Sequence, residues 1–455
     1  MEAENRGSFT GRLGYVLAAA GASVGLGNIW RFPYLAAKYG GGIFLLVYIV
    51  LALTFGYSMI IAETAIGRST QQSPVGAFRV YSRPGLIRSG GWLNAVIPIL
   101  IVPYYSVIGG WVCRYLFAYL TQDLSVISGD TFFTDFITDG ASTELWFAVF
   151  TVMVLVVIFL GVENGIERVS KLMMPVLLAL AVVLCVYSMS RPGALEGVRY
   201  FLIPRVEHFS WMTVVSAMGQ MFYSLSIAMG ILITFGSYMK KDVAIENSTM
   251  QVELFDTIVA IMAGLMIIPA VFSFSGGDAG ALGAGPSLMF VTMPKIFESM
   301  GIGRAIGILF FVLVLFAALT SAIALSESVV AVFADELGWS RRKGTVILGV
   351  IMLALGSLSC LGYGPLASVT IIGMSFLDFF DFLTNSVLMP ISAVLICLYV
   401  TKCMGLSKVE EEVTLGGHPF RRRFIFEFMI RRVCPIFALI ILLSSVANAF
   451  GWIKI

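Results

Sequence analysis

The sequence predicts an all-α integral membrane fold of eleven transmembrane helices. They form two five-helix inverted repeats, helices one to five and six to ten, with helices one and six broken and one additional helix. Three observations carry this expectation. Of 455 residues, 58% are hydrophobic and 12% charged, against about 25% charged in soluble domains, and the mean hydropathy is +0.93. Eleven stretches are long and apolar enough to cross a bilayer: 11–38, 42–67, 91–121, 144–161, 166–189, 211–239, 247–275, 303–335, 344–361, 367–401 and 433–453. The first stretch of each run of five is interrupted at mid-span, and interruptions at corresponding positions point to inverted repeats with a binding site at the bilayer midplane. The repeat is visible only as these matching breaks, not as sequence identity. The whole of 1–455 is read as one transmembrane domain, with repeats over 11–190 and 211–401 and helix eleven at 433–453.

Helix one contains Gly21-Ala22-Ser23-Val24-Gly25-Leu26-Gly27-Asn28, followed by Ile29-Trp30-Arg31-Phe32-Pro33. Closely spaced glycines next to an asparagine and an arginine make poor material for a continuous helix in lipid. A glycine-rich packing face explains the glycines but not Asn28 or Arg31. Exposed backbone at membrane depth is tolerated where it lines a cavity, so the break is expected to face something polar. The basic, apolar N-terminal run resembles a signal peptide, but the Asn-Ile-Trp-Arg-Phe-Pro that follows argues for a retained helix. Tyr105, Trp111 and Trp146, read as lying near helix ends, fit an interfacial aromatic belt. In helix five, Pro175 lies nine intervening residues after Gly165. Proline removes one backbone bond and displaces the carbonyl of Lys171, and glycine weakens the start; a simple kink is the plain reading.

Helix six carries Ser224-Leu225-Ser226-Ile227-Ala228-Met229-Gly230 at mid-span, preceded by Gln220 and Tyr223. Helix seven holds Asp256 well inside the apolar run. An aspartate at helix centre costs about 2.5–3.5 kcal/mol, so it needs a cation, a proton or hydrogen-bonding partners. Helix eight carries Ala317-Ala318-Leu319-Thr320-Ser321. Alone, adjacent hydroxyls read as packing groups bonded to the preceding turn. Taken together with the carbonyls at two breaks, the amide oxygen of Asn28, the Ser224 hydroxyl and the Asp256 carboxylate, they make an all-oxygen set. Hard cations such as sodium prefer oxygen ligands. Near Leu26 the outer half of helix one presents free N–H groups and a positive dipole end, suited to a carboxylate.

Most of the 29 lysines and arginines fall at the N-terminus and in alternate loops (68–90, 161–171, 240–246, 336–343, 402–432), whereas the loop at 122–143 holds Asp123, Asp130, Asp135 and Asp139 and no basic residue. By the positive-inside rule the N-terminus is cytoplasmic and the C-terminus extracellular or periplasmic, in a multi-pass protein of the plasma (inner) membrane. Arg421-Arg422-Arg423 then serves orientation, with an anionic-lipid contact as the alternative. Cys113, Cys185, Cys360, Cys397, Cys403 and Cys434 are scattered, without a paired motif, and read as small buried hydrophobes. His208 and His418 both fall in loops. No nucleophile–base pair or nitrogen–sulfur metal set is available for an enzyme, and no feature calls for a nucleic-acid partner.

At these residues the chain resembles the neurotransmitter:sodium symporter family (LeuT-like), in its bacterial eleven-helix amino-acid branch, and within it the multi-hydrophobic amino acid transporter type. The resemblance covers nearly the whole length. It rests on Gly21-x-x-Val24-Gly25-Leu26-Gly27-Asn28-x-Trp30-Arg31-Phe32-Pro33, Gly40-Gly41-Gly42, Tyr104-Tyr105, Thr320-Ser321 and Asp378-x-x-Asp381. It implies sodium-coupled symport of hydrophobic or aromatic L-amino acids into the cell by alternating access. Two sodium ions are expected, with no other cofactor. A first sodium site would use the Ser23 carbonyl, Asn28, Ser224 and Asp256, completed by the substrate carboxylate. A second would use the carbonyls of Gly21, Val24 and Ala317 with the side chains of Thr320 and Ser321. The Leu26 and Gly27 amides and the Tyr105 hydroxyl would hold the substrate, with Ala22, Ile101, Tyr223, Ser226, Met229, Ser321 and Leu325 around its side chain.

The resemblance also implies an outer gate of Arg31 and Asp381 under Tyr223, and an inner gate of Arg6 and Asp335 steadied by Tyr238. The Gly165–Pro175 turn of helix five would unwind to let cytoplasmic water reach the second sodium, with Glu327 on the same route. Many relatives have threonine at Ser224 and asparagine at Asp256. A fixed carboxylate near Tyr48 and Gln220 would replace chloride, hence the expectation of no chloride requirement. Monoamine carriers have aspartate where Gly25 stands, and its absence favours amino acids over amines. The partners implied are a small amino acid, sodium ions and the lipid bilayer; many relatives carry a twelfth helix, and the oligomeric state is left open. The rival expectations are a sodium-independent or proton-coupled exchanger of the same fold, a non-transporting amino-acid sensor, and a channel.

Overall fold

Apolar runs of this length satisfy their backbone internally only as helices when surrounded by lipid, and the computed structural model, which describes residues 7–277 and 285–452, is helical throughout. Among the described residues there is no strand, only the isolated bridges Gly41–Pro204 and Ile371–Met374. Helix one is a bent pair, Arg12–Ser23 and Gly27–Lys38, meeting at 54°. Helices two to five are Gly42–Thr70, Leu86–Thr121, Gly140–Leu160 and Val162–Met189. Helix six is Trp211–Ser224 and Ile231–Ser237, separated by a non-helical stretch. Helices seven to ten are Ile245–Ser275, Gly303–Leu337, Arg341–Leu361 and Phe376–Met404. Helix eleven runs through Arg423–Phe428, Met429–Val433 and Cys434–Ala449.

Burial sorts these helices by role. The apolar stretch of helix eight is 72% buried, whereas those of helices four and five are 33% buried and turn most of their surface outward. Helix one packs against helices five, seven and eight, and helix eight lies along helix three. Both broken helices therefore sit inside the bundle, where protein rather than lipid meets their loosened backbone.

Three expectations shift. Helix ten begins at Phe376 rather than near 367, because Gly362, Gly364, Pro365 and a Gly373 with φ of +75° break the chain before it. Ser375 then caps the new start by accepting the Asp378 N–H at 3.2 Å. Helix eleven begins earlier, at Arg423, in a charged turn that apolar patterning passes over. The third concerns the aromatic belt. Tyr105 and Trp111 are 4% and 1% exposed; they lie well inside a long helix and face the interior of the bundle, not the membrane surface. Trp111 meets Phe133 and Phe290 edge-on, while Trp146 is half-buried beside Phe117.

Candidate functional site

The break in helix one begins where Val24 turns extended after Ser23. Asn28 closes it from the other side, its Oδ1 accepting the Gly25 N–H at 3.2 Å. Gly27 opens the outer half, and a Cβ there would stand 2.6 Å from the Tyr223 ring. Only glycine lets helix six approach so closely. Gln220 Nε2 donates to the Gly27 carbonyl at 3.0 Å and joins the two broken helices again.

Helix six breaks at the expected residues, with Ser226 and Ala228 at φ of 54° and 61°. Left-handed backbone at a non-glycine residue costs about 1–3 kcal/mol and persists only where surroundings hold it. Two bonds hold it. Ser226 Oγ donates to the Ala22 carbonyl at 2.9 Å, and the Ala228 N–H donates to Glu63 Oε1 at 2.8 Å. Glu63, fully buried on helix two, was not singled out from the sequence; nothing local marks it, because its partner is 165 positions away.

Between the two breaks lies a small cavity of about 30 Å³. Its wall includes every residue expected around a substrate: Ala22, Leu26, Gly27, Ile101, Tyr105, Tyr223, Ser226, Met229, Ser321 and Leu325. Its polar groups include the Leu26 N–H, which donates to Tyr105 Oη at 3.3 Å. The wall also holds the apolar side chains of Ile101 from helix three, Met229 from the break in helix six and Leu325 from helix eight.

Ser23, Asn28 and Ser224 also border the cavity, and behind them stands Asp256, fully buried. Its carboxylate accepts Asn28 Nδ2 at 2.8 Å, Tyr48 Oη at 2.8 Å and Ser224 Oγ at 2.9 Å. The four residues expected at a first cation position are thus contiguous, and Tyr48 belongs to the same network. Gln220, expected near the carboxylate, donates to the Gly27 carbonyl, next to the Asn28 that bonds Asp256.

On the inner side of the break, Ser321 Oγ lies 3.3 Å from the Gly21 carbonyl, 3.1 Å from that of Ala22 and 3.3 Å from that of Val24. A Cβ on Gly21 would meet Thr320 Cβ at 3.1 Å. Thr320 Oγ1 donates to the Phe316 and Ala317 carbonyls at 3.0 and 3.2 Å. Gly21, Val24, Ala317, Thr320 and Ser321 therefore converge, in an arrangement of oxygens without a formal charge. Such a cluster suits a singly charged hard cation.

Above the cavity the Arg31 guanidinium stands over the Tyr223 ring, 5.5 Å from its centroid. Asp381 accepts Asn385 Nδ2 at 2.6 Å and Tyr104 Oη at 3.3 Å. Among the described residues, Arg31 and Asp381 form no ion pair within 4.0 Å. Below, Arg6 lies outside the described residues, and Asp335 accepts the Ser73 N–H at 2.6 Å. Tyr238 donates to Glu327 Oε1 at 2.8 Å. Glu327, fully buried, forms a bidentate pair with Arg341, at 3.0 and 2.5 Å, a partner the sequence did not suggest.

Helix five is wound at Gly165, which lies in the wide turns of Val162–Glu167, and Pro175 sits inside Arg168–Met189. Glu167 clamps the entering chain here. It accepts the Thr10 N–H at 2.8 Å and bonds the Thr10 hydroxyl, and Lys171 Nζ pairs with it at 2.6 Å. The Thr10 carbonyl accepts Lys240 Nζ at 3.0 Å. Neither Glu167 nor this clamp was singled out from the sequence.

Comparison with known proteins places these features in context. The pattern of the "Sodium:neurotransmitter symporter family" matches residues 6–141 and 133–451. An uncharacterised sodium-dependent transporter of Bacillus subtilis is 34% identical over 439 residues, covering 96% of each chain. The sodium- and chloride-dependent GABA transporter 2 of Homo sapiens is 26% identical over 404 residues, 77% of this chain and 66% of that protein. The crystal structure of MhsT in complex with L-phenylalanine superposes with a TM-score of 0.87 and 37% identity, over 97% of this chain and 100% of that one.

Proposed function

Because the chain belongs to the sodium:neurotransmitter symporter family, a family of multi-pass membrane transporters and not of enzymes, we propose that it carries hydrophobic or aromatic L-amino acids into the cell, driven by two sodium ions and without chloride. The observation that carries this reading is the cavity between the two helix breaks. Its wall combines the Leu26 amide and the Tyr105 hydroxyl with the apolar side chains of Ile101, Met229 and Leu325. In this reading the amino acid sets its carboxylate toward the start of the outer half-helix, where free N–H groups favour an anion, and its side chain against Ile101, Met229 and Leu325. The likeness to MhsT, whose structure holds L-phenylalanine, supports the same substrate class.

In this reading the substrate carboxylate joins the Ser23 carbonyl, Asn28, Ser224 and Asp256 around the first sodium. Each ligand then raises the affinity of the other by the same factor. The second sodium binds among Gly21, Val24, Ala317, Thr320 and Ser321 and ties helix one to helix eight. Its departure to the cytoplasm, along the Gly165–Pro175 turn, frees helices one and six to rock against the rest. Arg31 and Asp381 close over the loaded cavity through Tyr223, and Arg6 and Asp335, beside Tyr238, close it from below.

Asp256 is the reason for dispensing with chloride. Its carboxylate receives the Tyr48 and Ser224 hydroxyls, which supports a fixed negative charge where a chloride-dependent relative needs an ion. The chain is proposed to act as one transmembrane domain, with repeats over 11–190 and 211–401 and helix eleven at 433–453, in the plasma membrane with a cytoplasmic N-terminus.

The test is uptake of labelled phenylalanine into proteoliposomes with gluconate replacing chloride. A sodium gradient is expected to drive accumulation, and sodium-insensitive uptake would overturn the proposal. With Asp256→Asn, uptake is expected to become weak or chloride-dependent; unchanged chloride-free uptake would remove the charge-substitution argument.

A further inference from the structure

Helix eleven carries arginines of two kinds. Those at its cytoplasmic approach are engaged: Arg423 pairs with Glu427 at 2.7 Å and with Glu410, and Arg422 lies over the Tyr57 ring at 5.2 Å. The backbone N–H groups of Arg421 and Arg422 donate to Glu246 at 2.8 and 2.9 Å. Arg431 and Arg432, two turns further on, are different. Both are exposed, and no carboxylate among the described residues lies within 4.0 Å of either.

Their depth makes this notable. The apolar stretch that follows, Cys434–Ala449, is 16 residues long, about 24 Å at 1.5 Å per residue, against a hydrocarbon core about 30 Å thick. A stretch this short is matched to the bilayer by flanking side chains that reach out to the interface, which brings Arg431 and Arg432 within reach of lipid phosphates. The neighbouring exposed side chains are apolar in both directions. Phe424 and Phe428 stack before them, 82% and 50% exposed, and Ile436, Leu439 and Leu443 form a bare stripe after them. Lys402, at the adjoining end of helix ten, is exposed as well. A guanidinium at such a boundary needs an anionic partner, and its planar fork matches a phosphate oxygen pair.

We propose that Arg431 and Arg432 form a binding site for one acidic phospholipid, the guanidinium groups holding its phosphate and the stripe Ile436–Leu439–Leu443 receiving its acyl chains. Two uncompensated cations beside an apolar track fit a lipid with net negative charge. They fit neither a zwitterionic lipid, which brings its own cation, nor free phosphate, which has nothing to lay on the stripe.

The test is native mass spectrometry of the full chain released from membranes of phosphatidylcholine doped with phosphatidylglycerol. The wild-type protein is expected to retain phosphatidylglycerol in preference to phosphatidylcholine. Its apparent affinity is expected to fall roughly 5-fold for each arginine removed, so that Arg431→Gln with Arg432→Gln largely abolishes retention. Replacing both with lysine preserves charge and most of the binding, and Arg83→Gln, at an exposed loop position, changes nothing. Equal retention by wild type and the double glutamine variant would overturn the proposal. So would equal retention of phosphatidylcholine, an equal loss with Arg83→Gln, or competition by inorganic phosphate.

Discussion

Ser321 is the residue whose position explains most. Its hydroxyl sits within hydrogen-bond reach of carbonyls from Gly21, Ala22 and Val24 at once, so one small side chain meets the innermost carbonyls of the broken turn. Thr320 beside it is bonded to its own helix. Thr320→Ala and Ser321→Ala are each expected to raise the sodium concentration for half-maximal uptake roughly tenfold, since a hydrogen bond or ligand to a charged group is worth about 1.5–3 kcal/mol. Uptake as a function of sodium in proteoliposomes measures it, and wild-type curves would refute the second site. At this scale much was legible. Glycine, asparagine and hydroxyl residues gather where helices break because little else tolerates loosened backbone inside a membrane. Glu63, and the pairing of Glu327 with Arg341, were not legible, since a carboxyl in an apolar run gives no sign of which distant group it meets. Tyr105 shows the opposite error: an aromatic near a helix end suggests the membrane surface, yet its hydroxyl serves the Leu26 amide.

Helix five shows what a single element can control. Its first turns are wide, its proline lies further in, and Glu167 between them fastens Thr10 of the entering chain. Gly14 faces that carboxylate closely, and a Cβ there would stand 2.3 Å from it. The proposed unwinding of the turn at Gly165 would displace Glu167 and loosen the segment that leads into helix one. Glu167→Gln is expected to keep the fold but weaken the clamp, because a neutral amide loses the Lys171 pair. Hydrogen exchange is expected to quicken several-fold over 8–12 and 162–168 and to remain unchanged in helix eight; equal protection in both proteins would show that the clamp is passive. The proline and glycine could be read directly, since each limits a helix locally. The clamp could not, because its partners are 157 positions apart.

For the molecule as a whole, composition and alternating loop charge led to the architecture, while helix ends moved by up to ten residues where capping serine or charged turns overrode hydropathy. The proposed orientation puts the C-terminus outside. An alkaline phosphatase reporter fused after Trp452 is expected to be active in cells, and one fused in Leu406–Val413 inactive; the reverse pattern would invert every assignment of inner and outer gate. One further consequence comes from the break in helix six, where the Ala228 amide is held by Glu63 and the Ser226 hydroxyl by Ala22. The chain's own groups keep this segment open, so cargo does not wait for a turn of helix to melt. Capture is then limited by how quickly water is shed from the ion and from the incoming side chain. Its rate is expected to rise only gently with warming, whereas the later rocking of the bundle carries the steep dependence.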